Sequence, residues 1–285
     1  MQTQEIQKIS SQVRRDILRM VHSCQSGHPG GSLGCTDLLV DLYFNTMKLK
    51  TDAAGKVVFD MDGTDEDLFF LSNGHISPVI YSVLARRGYF AMSELASFRK
   101  INTRLQGHPT PHEHLEGIRI ASGSLGQGLS VAIGAAQAKK LNGDKSTVYC
   151  LMGDGEQNEG QVWEAAMYAP HHKVDNLIAF IDENGQQIDG PTEKVMSNRD
   201  LQAKYEAFGW NVMRMDGNNA EDIQNTLLKA KAALGNGFPI MIIMKTEMGA
   251  GVDFMMYSHK WHGVAPNDQQ LQDALAQLEE TLGDY

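Results

Sequence analysis

Asp154 and Asn184 are the residues whose types and surroundings point most directly to chemistry. Asp154 stands between glycines in Gly153-Asp154-Gly155, directly after the apolar run Thr147-Val148-Tyr149-Cys150-Leu151-Met152. Asn184 closes Asp182-Glu183-Asn184, directly after a second apolar run, Asn176-Leu177-Ile178-Ala179-Phe180-Ile181. As two parallel strands, these runs deliver a carboxylate and a carboxamide to the same end of one sheet. Oxygen ligands of this kind suit Mg²⁺ or Ca²⁺, and the glycines let backbone approach an anion closely. The pair reads as a site for a metal-bound diphosphate.

Ligands of open parallel sheets collect beyond the carboxyl ends of the strands. Four segments predicted there carry unusual chemistry: Asn73-Gly74-His75, Gly153-Asp154-Gly155, Glu183-Asn184-Gly185 and Lys245-Thr246-Glu247-Met248-Gly249-Ala250-Gly251. One Asp-Gly or Asn-Gly pair alone is ordinarily a turn; four at four strand ends favour a shared site. His28, His75, His108 and His262 lie in glycine-flanked loops without zinc-type spacing. Imidazoles there can donate to phosphate and hydroxyl oxygens and move protons near neutral pH. His22, His112, His114, His171, His172 and His259 read instead as exposed loop residues. Glu159 and Glu156 both stand where a carboxylate favours the positive end of a helix dipole, so capping accounts for one of them and need not account for both. Met241, Met244, Met255 and Met256 read as packing residues.

These loops need elements to position them. Residues 4–23 predict an amphipathic helix through Ile6, Ile9, Val13, Ile17, Met20 and Val21. A glycine-rich break over 25–34 precedes a helix starting at Thr36-Asp37. A strand over 67–72 leads to a helix from Ser77, whose Pro78 is tolerated in a first turn. Residues 98–122 read as loop, and a small-residue helix begins near Ser124. A helix around Trp163 to Ala166 separates the two central strands. Later strands over 210–215 and 238–244 flank a helix through Asp222, Ile223, Leu227, Leu228 and Ala232. The alternation predicts an α/β fold, a parallel sheet covered by helices on both faces. With neither a low-complexity linker nor an internal repeat, residues 1–285 read as one domain.

At 285 residues the chain can bury a full core. A net charge of −10 argues against nucleic-acid and anionic-membrane partners while leaving room for a local anion site. Cys24, Cys35 and Cys150 are an odd number without metal spacing, which fits a reducing compartment, and Cys150 reads as a small buried hydrophobe. No signal peptide and no membrane-spanning run are apparent. A cytoplasmic protein is expected.

Taken together, the motifs resemble the N-terminal third of transketolases. The resemblance rests on Ser26-Gly27-His28-Pro29-Gly30-Gly31, Leu71-Ser72-Asn73-Gly74-His75, Gly107-His108-Pro109, Gly123-Ser124-Leu125-Gly126-Gln127-Gly128, Gly153-Asp154-Gly155-Glu156-Gln157-Asn158-Glu159-Gly160, Ile181-Asp182-Glu183-Asn184 and Trp261-His262-Gly263, in family order across nearly the whole chain. It implies a thiamine diphosphate-binding fold and transfer of two-carbon ketol units between sugar phosphates, as in pentose phosphate metabolism. It implies Mg²⁺, Ca²⁺ or another divalent cation held by Asp154, Asn184 and the carbonyl of Gln186. Gly153, Gly155, His75 and His262 belong to the cofactor-binding set, and the last three meet the diphosphate; backbone at Gly123 and Leu125 meets the aminopyrimidine. His28 and His108 line the substrate channel, with His262 joining them in catalysis, and Glu159 links cofactor sites near the interface between subunits.

A complete transketolase also has a pyrimidine-binding domain and a C-terminal domain. The resemblance therefore implies a split enzyme whose separate C-terminal subunit completes the site, in a heterotetramer of two copies of each chain. Relatives often carry lysines where this chain has Met248 and Ala250, Ser124 stands where proline is common, and Gly185 follows Asn184; the ordinary pentose phosphate substrates are accordingly not secured. Two other readings are another thiamine diphosphate enzyme, such as a deoxyxylulose phosphate synthase or a 2-oxo acid dehydrogenase subunit, and a non-catalytic module retaining the fold.

Overall fold

A computed structural model describes residues 1–285. Helix α1, Thr3–Cys24, follows the predicted amphipathic span, with Ile6, Val13, Ile17, Met20 and Val21 buried. The glycine-rich stretch expected as a break instead contains helix α2, Pro29–Gly34. Proline at the first position suits a helix start, and close packing selects the glycines: a Cβ on Gly30 would stand 2.5 Å from Met248 Cγ. Helix α3, Thr36–Asp41, runs on into a wider turn over Leu42–Thr46.

Strand β1, Leu68–Leu71, is followed by a tight turn at Gly74–Ile76 and helix α4, Ser77–Arg87. Residues 98–122 are irregular apart from one short turn at Pro111–Glu113. Helix α5, Gly128–Leu141, begins four residues later than expected, because Gly123 and Gly126 adopt φ of 123° and 86°. Strand β2 (Val148–Gly153), helix α6 (Gly160–His171) and strand β3 (Leu177–Glu183) come next. A two-residue ladder pairs β4, Gln186–Gln187, with β5, Gly190–Pro191. Two helices not anticipated follow, α7 (Thr192–Val195) and α8 (Leu201–Phe208). Strand β6 (Asn211–Asp216), helix α9 (Ala220–Ala232), strand β7 (Ile240–Lys245) and helix α10 (Asp268–Gln277) complete the chain. No helix is long and apolar enough to cross a membrane.

The five main strands are parallel in the order β1-β2-β3-β7-β6. Side chains alternate between two cores. Phe69, Leu71, Tyr149, Leu151, Ile178 and Phe180 face the larger core with α1, α3, α4 and α9. Phe70, Cys150, Met152, Ala179 and Ile181 face the smaller core with α5 and α6. Strand order reverses between β3 and the β7-β6 pair. With constant crossover handedness, that reversal puts α9 on the face opposite α5 and α6. The α/β sheet covered on both faces is as expected. Edge strand β6 departs from the continuous apolar pattern: Asn211, Arg214 and Asp216 are exposed because it has a neighbour on one side only. Met241, Met244 and Met255 are core residues, while Met256 is only half-buried. His22, expected as an exposed loop residue, is half-buried on the last turn of α1, with its Nε2 2.8 Å from Asp268.

Asp16 fastens α1 to α4. Its carboxylate, fully buried, accepts from Arg86 Nε at 2.5 Å and Ser82 Oγ at 2.7 Å. Burial raises its pKa, and the Arg86 charge and hydrogen bonds oppose the rise. Desolvation thus offsets much of the attraction, yet removing one partner strands the other charge. Asp16→Ala should destabilise the fold by about 3–5 kcal/mol in urea denaturation, and Asp16→Leu combined with Arg86→Met should recover much of that loss.

Candidate functional site

The register of β2 and β3 pairs Gly153 with Asp182, and Asp154 N donates to the Asp182 carbonyl at 3.1 Å. Asp154 and Asn184 therefore leave the sheet side by side. Asp154 is 3% exposed. Its Oδ1 accepts from Gly155 N at 2.7 Å, and its Oδ2 from Gly185 N at 2.8 Å and Thr192 Oγ1 at 3.3 Å. Asn198 Nδ2 donates to the Asp154 carbonyl at 2.6 Å. The segments flanking the β4–β5 ladder thus fold back to pin the residue that follows β2. Burial, reinforced by the Asp182 charge, pushes the Asp154 carboxyl up to about 7.

Asp182 is fully buried and organises Asn184. It accepts from Asn184 Nδ2 at 2.8 Å and from Thr246 Oγ1 just beyond β7. Asn184 Oδ1 accepts from Gln186 N at 2.9 Å and keeps a second lone pair. The donor set offered by Asp154, Asn184 and the Gln186 backbone is all oxygen, the preference of Mg²⁺ and Ca²⁺. No group of three His, Cys, Asp or Glu side chains is placed to hold a metal.

A cleft of about 420 Å³ opens over the carboxyl ends of β1, β2 and β3. His28, His75, His108, Gly123, Leu125, Gly153, Asp154, Gly155, Glu159, Asn184, Gln186 and His262 all line it, so every residue the resemblance assigned to the site comes to one place. The His28 ring lies 5.1 Å from His75, 5.4 Å from His262 and 6.4 Å from His108, centroid to centroid. His75 and His262 stack at 5.2 Å. Gly123 admits this packing: a Cβ there would stand 2.5 Å from the His108 ring, on a backbone whose positive φ disfavours other residues. Buried Nδ1 atoms of His28 and His262, and Oδ1 of Asn73, have no protein partner. A polar ligand can satisfy them.

Burial lowers the pKa of all four imidazoles. His28 falls to about 4, helped by the charges of His262, Arg99 and His108, and His75 to about 3, helped by those of His262, His28 and His108. His108, the exposed member of the four, is lowered only by partial desolvation and then by Arg99, and burial is the sole cause for His262. At neutral pH the cluster is uncharged, and its ring N–H groups can donate to a polar ligand.

The fourth strand-end segment, after β7, does not line the cleft. Gly249 N donates to the Gly30 carbonyl at 2.9 Å, and Met248 and Ala250 are 1% and 5% exposed. The segment supports the His28 loop from behind, so those two positions are packing positions in this chain. Glu159 is the residue preceding α6 and borders the cleft, but makes no side-chain cap. Glu156 is no cap either: it is 1% exposed and bonded to three loops. Local pattern gives no individual role to Asp182, Thr246, Asn73 or Arg99, which the structure brings to the site. Arg99 Nη1 donates to Ser26 Oγ at 2.8 Å, behind the histidines. Only contacts between distant segments reveal such residues.

Fold and cleft define a parallel α/β domain whose candidate site gathers at its strand ends. The chain belongs to the family described as "Transketolase, thiamine diphosphate binding domain", which matches residues 6–283. It is 36% identical over 282 residues to an apulose-4-phosphate transketolase subunit of Phocaeicola vulgatus, covering 99% of this chain and 96% of that protein. It is also 36% identical over 275 residues to "6-deoxy-6-sulfo-D-fructose transketolase subunit SqwG" of Clostridium sp. strain MSTE9, covering 96% of each. The crystal structure of transketolase from Campylobacter jejuni superposes with a TM-score of 0.87 at 31% identity, over 98% of this chain and 43% of that one. The chain thus spans about two-fifths of the single-chain transketolases it matches. The expected family and fold are borne out.

Two histidines of the cluster contribute acid sensitivity to the fold. The folded pKa values of His28 and His75 lie below the ordinary 6.5, so between that value and about 4 and 3 the unfolded chain binds more protons. Their contribution is complete above pH 6.5 and lost as pH falls through this window. Asp154, whose carboxyl is pushed up to about 7, titrates over the same range with the opposite sign, so the histidine share is read as a difference: in denaturation between about pH 7 and 5, the stability of the unmutated chain relative to His75→Gln should decline as pH falls.

Proposed function

We propose that this chain is the thiamine diphosphate-binding subunit of a split transketolase, moving a two-carbon ketol unit from a ketose phosphate to an aldose phosphate. The observation that carries the reading is the single cleft that collects every residue the resemblance assigned to the site. Relatives of matching length named as transketolase subunits support it. Residues 1–285 act as one domain, and a separate C-terminal subunit supplies the pyrimidine-binding half. The assembly is a heterotetramer of two copies of each chain, in the cytoplasm.

Asp154, Asn184 and the Gln186 carbonyl hold a divalent cation, Mg²⁺ by donor preference. His75, His262 and backbone at Gly155 hold the diphosphate, with Gly153 beside them in the cofactor-binding set, while Gly123 and Leu125 meet the aminopyrimidine. When bound, the cofactor supplies the electron sink that ketose cleavage requires. The chain's own residues bind and orient. His28 and His108 hold substrate hydroxyls and move protons at their ring nitrogens, His262 assists beside the diphosphate, and Glu159 faces the interface between subunits. The imidazoles, kept neutral, can each accept a proton and return it.

The sugar is proposed only as a class. Two relatives equally similar to this chain are named for different sugars, and Met248 and Ala250 are buried away from the cleft. The pentose phosphates of central metabolism are one option within that class.

Reconstitution with the C-terminal subunit tests the reading. The pair should bind thiamine diphosphate with Mg²⁺ and transfer ketol units; binding without transfer from any ketose phosphate would sink the enzyme reading. Turnover by this chain alone would contradict the split-enzyme reading. Asp154→Ala should weaken Mg²⁺-dependent cofactor binding in the pair by at least roughly 100-fold, the upper end of the loss for even an outer-shell partner of a metal. Unchanged binding in calorimetry would leave Asp154 as a turn residue only.

A further inference from the structure

Glu156 is a buried carboxylate with no cation beside it. Its Oε1 accepts from Ser72 Oγ and from Gly126 N at 2.7 Å, and its Oε2 from Gly153 N at 3.0 Å. Those donors belong to three separate segments: the end of β1, the loop before α5, and the end of β2. Ser72 extends the tie, because its Oγ also accepts from Gly128 N at 3.0 Å. The first turn of α5 is seated on it so closely that a Cβ on Gly128 would stand 2.4 Å from Ser72 Cβ. Gly126 lies one residue beyond Leu125, and Gly153 immediately precedes Asp154. One carboxylate thereby fixes the distance between the Gly123–Leu125 edge of the cleft and the Asp154 end.

We propose that Glu156 is a positioning residue that holds these two ends of the cleft at the separation one bound cofactor requires. The inference rests on the functional reading above, which assigns the ring to Gly123–Leu125 and the diphosphate to the Asp154 end. An ionised carboxylate can accept all three bonds; a glutamine amide cannot, because its NH₂ must face either Gly126 N–H or Gly153 N–H. Aspartate lacks the reach to serve both sides.

The test uses the reconstituted subunit pair carrying Glu156→Gln or, independently, Ser72→Ala. Affinities for thiamine diphosphate and for inorganic pyrophosphate are measured with Mg²⁺, since pyrophosphate engages the Asp154 end alone. The expectation is thiamine diphosphate weakened by about 10-fold or more with pyrophosphate nearly unchanged, the scale seen for residues that orient a binding group. Hydrogen exchange without ligand should quicken over residues 123–128. Equal losses for both ligands with unchanged exchange would make Glu156 a general stabiliser and overturn the proposal, as would no loss for either. The exchange comparison needs no cofactor and decides the coupling by itself, with Ser72→Ala serving if the glutamine variant fails to fold. Failure of the unmutated pair to bind thiamine diphosphate would instead overturn the functional reading.

Discussion

Two buried carboxylates side by side, Asp154 at the end of β2 and Asp182 at the end of β3, are the constraint on which this molecule's site depends. Parallel pairing of β2 with β3 forces the proximity, and burial makes the two charges unfavourable together. The fold answers with donors. Asp182 takes a hydroxyl from Thr246 and an amide from Asn184, while Asp154 takes two backbone N–H groups and the Thr192 hydroxyl. Satisfying the carboxylates is what draws the β4–β5 ladder and the segment after β7 against the central strands.

The histidine side of the cleft is built from backbone proximity. His28 enters from the loop before α2, His108 from the irregular stretch after α4, and His262 from the segment before α10. Their rings meet because glycines remove the side chains that would separate the supporting backbones. At Gly30 the displaced group would be Met248, and at Gly123 the His108 ring itself. Glycine is the requirement at these two positions, and the rings' neutrality follows from the same close packing.

Much of this was legible from local pattern. The central strands, α1, and the pairing of Asp154 with Asn184 follow from apolar runs ending in polar glycine-rich turns, while the gathering of the four histidines was implied by the family resemblance. What was not legible depends on contacts across the chain. Glu156 and Glu159 are three residues apart with the same local credentials, and only packing on Ser72 and Gly126 separates a buried tie from a residue at the cleft edge. The Lys245–Gly251 segment has the composition of a ligand loop, yet Thr246 and Gly249 commit it to Asp182 and Gly30. Pro29–Gly34 reads as a break by propensity and becomes helical because tertiary packing outweighs the glycine penalty.

Charge also dictates how the cleft can accept an anion. Four neutral imidazoles offer oriented N–H groups and no net positive charge, while Asp154, Glu156 and Asp182 lie at or beneath the floor, in a protein of net charge −10. A diphosphate approaching by itself meets the carboxylates of the Asp154 end, and against the ionised form of Asp154 unit charges at short range in a partly buried setting repel by several kcal/mol. A divalent cation reverses that balance, because it neutralises the carboxylate and turns the same oxygen set into an attractive end. On the function proposed above, this geometry would suit an anion that carries its cation with it, with the imidazoles left to orient it.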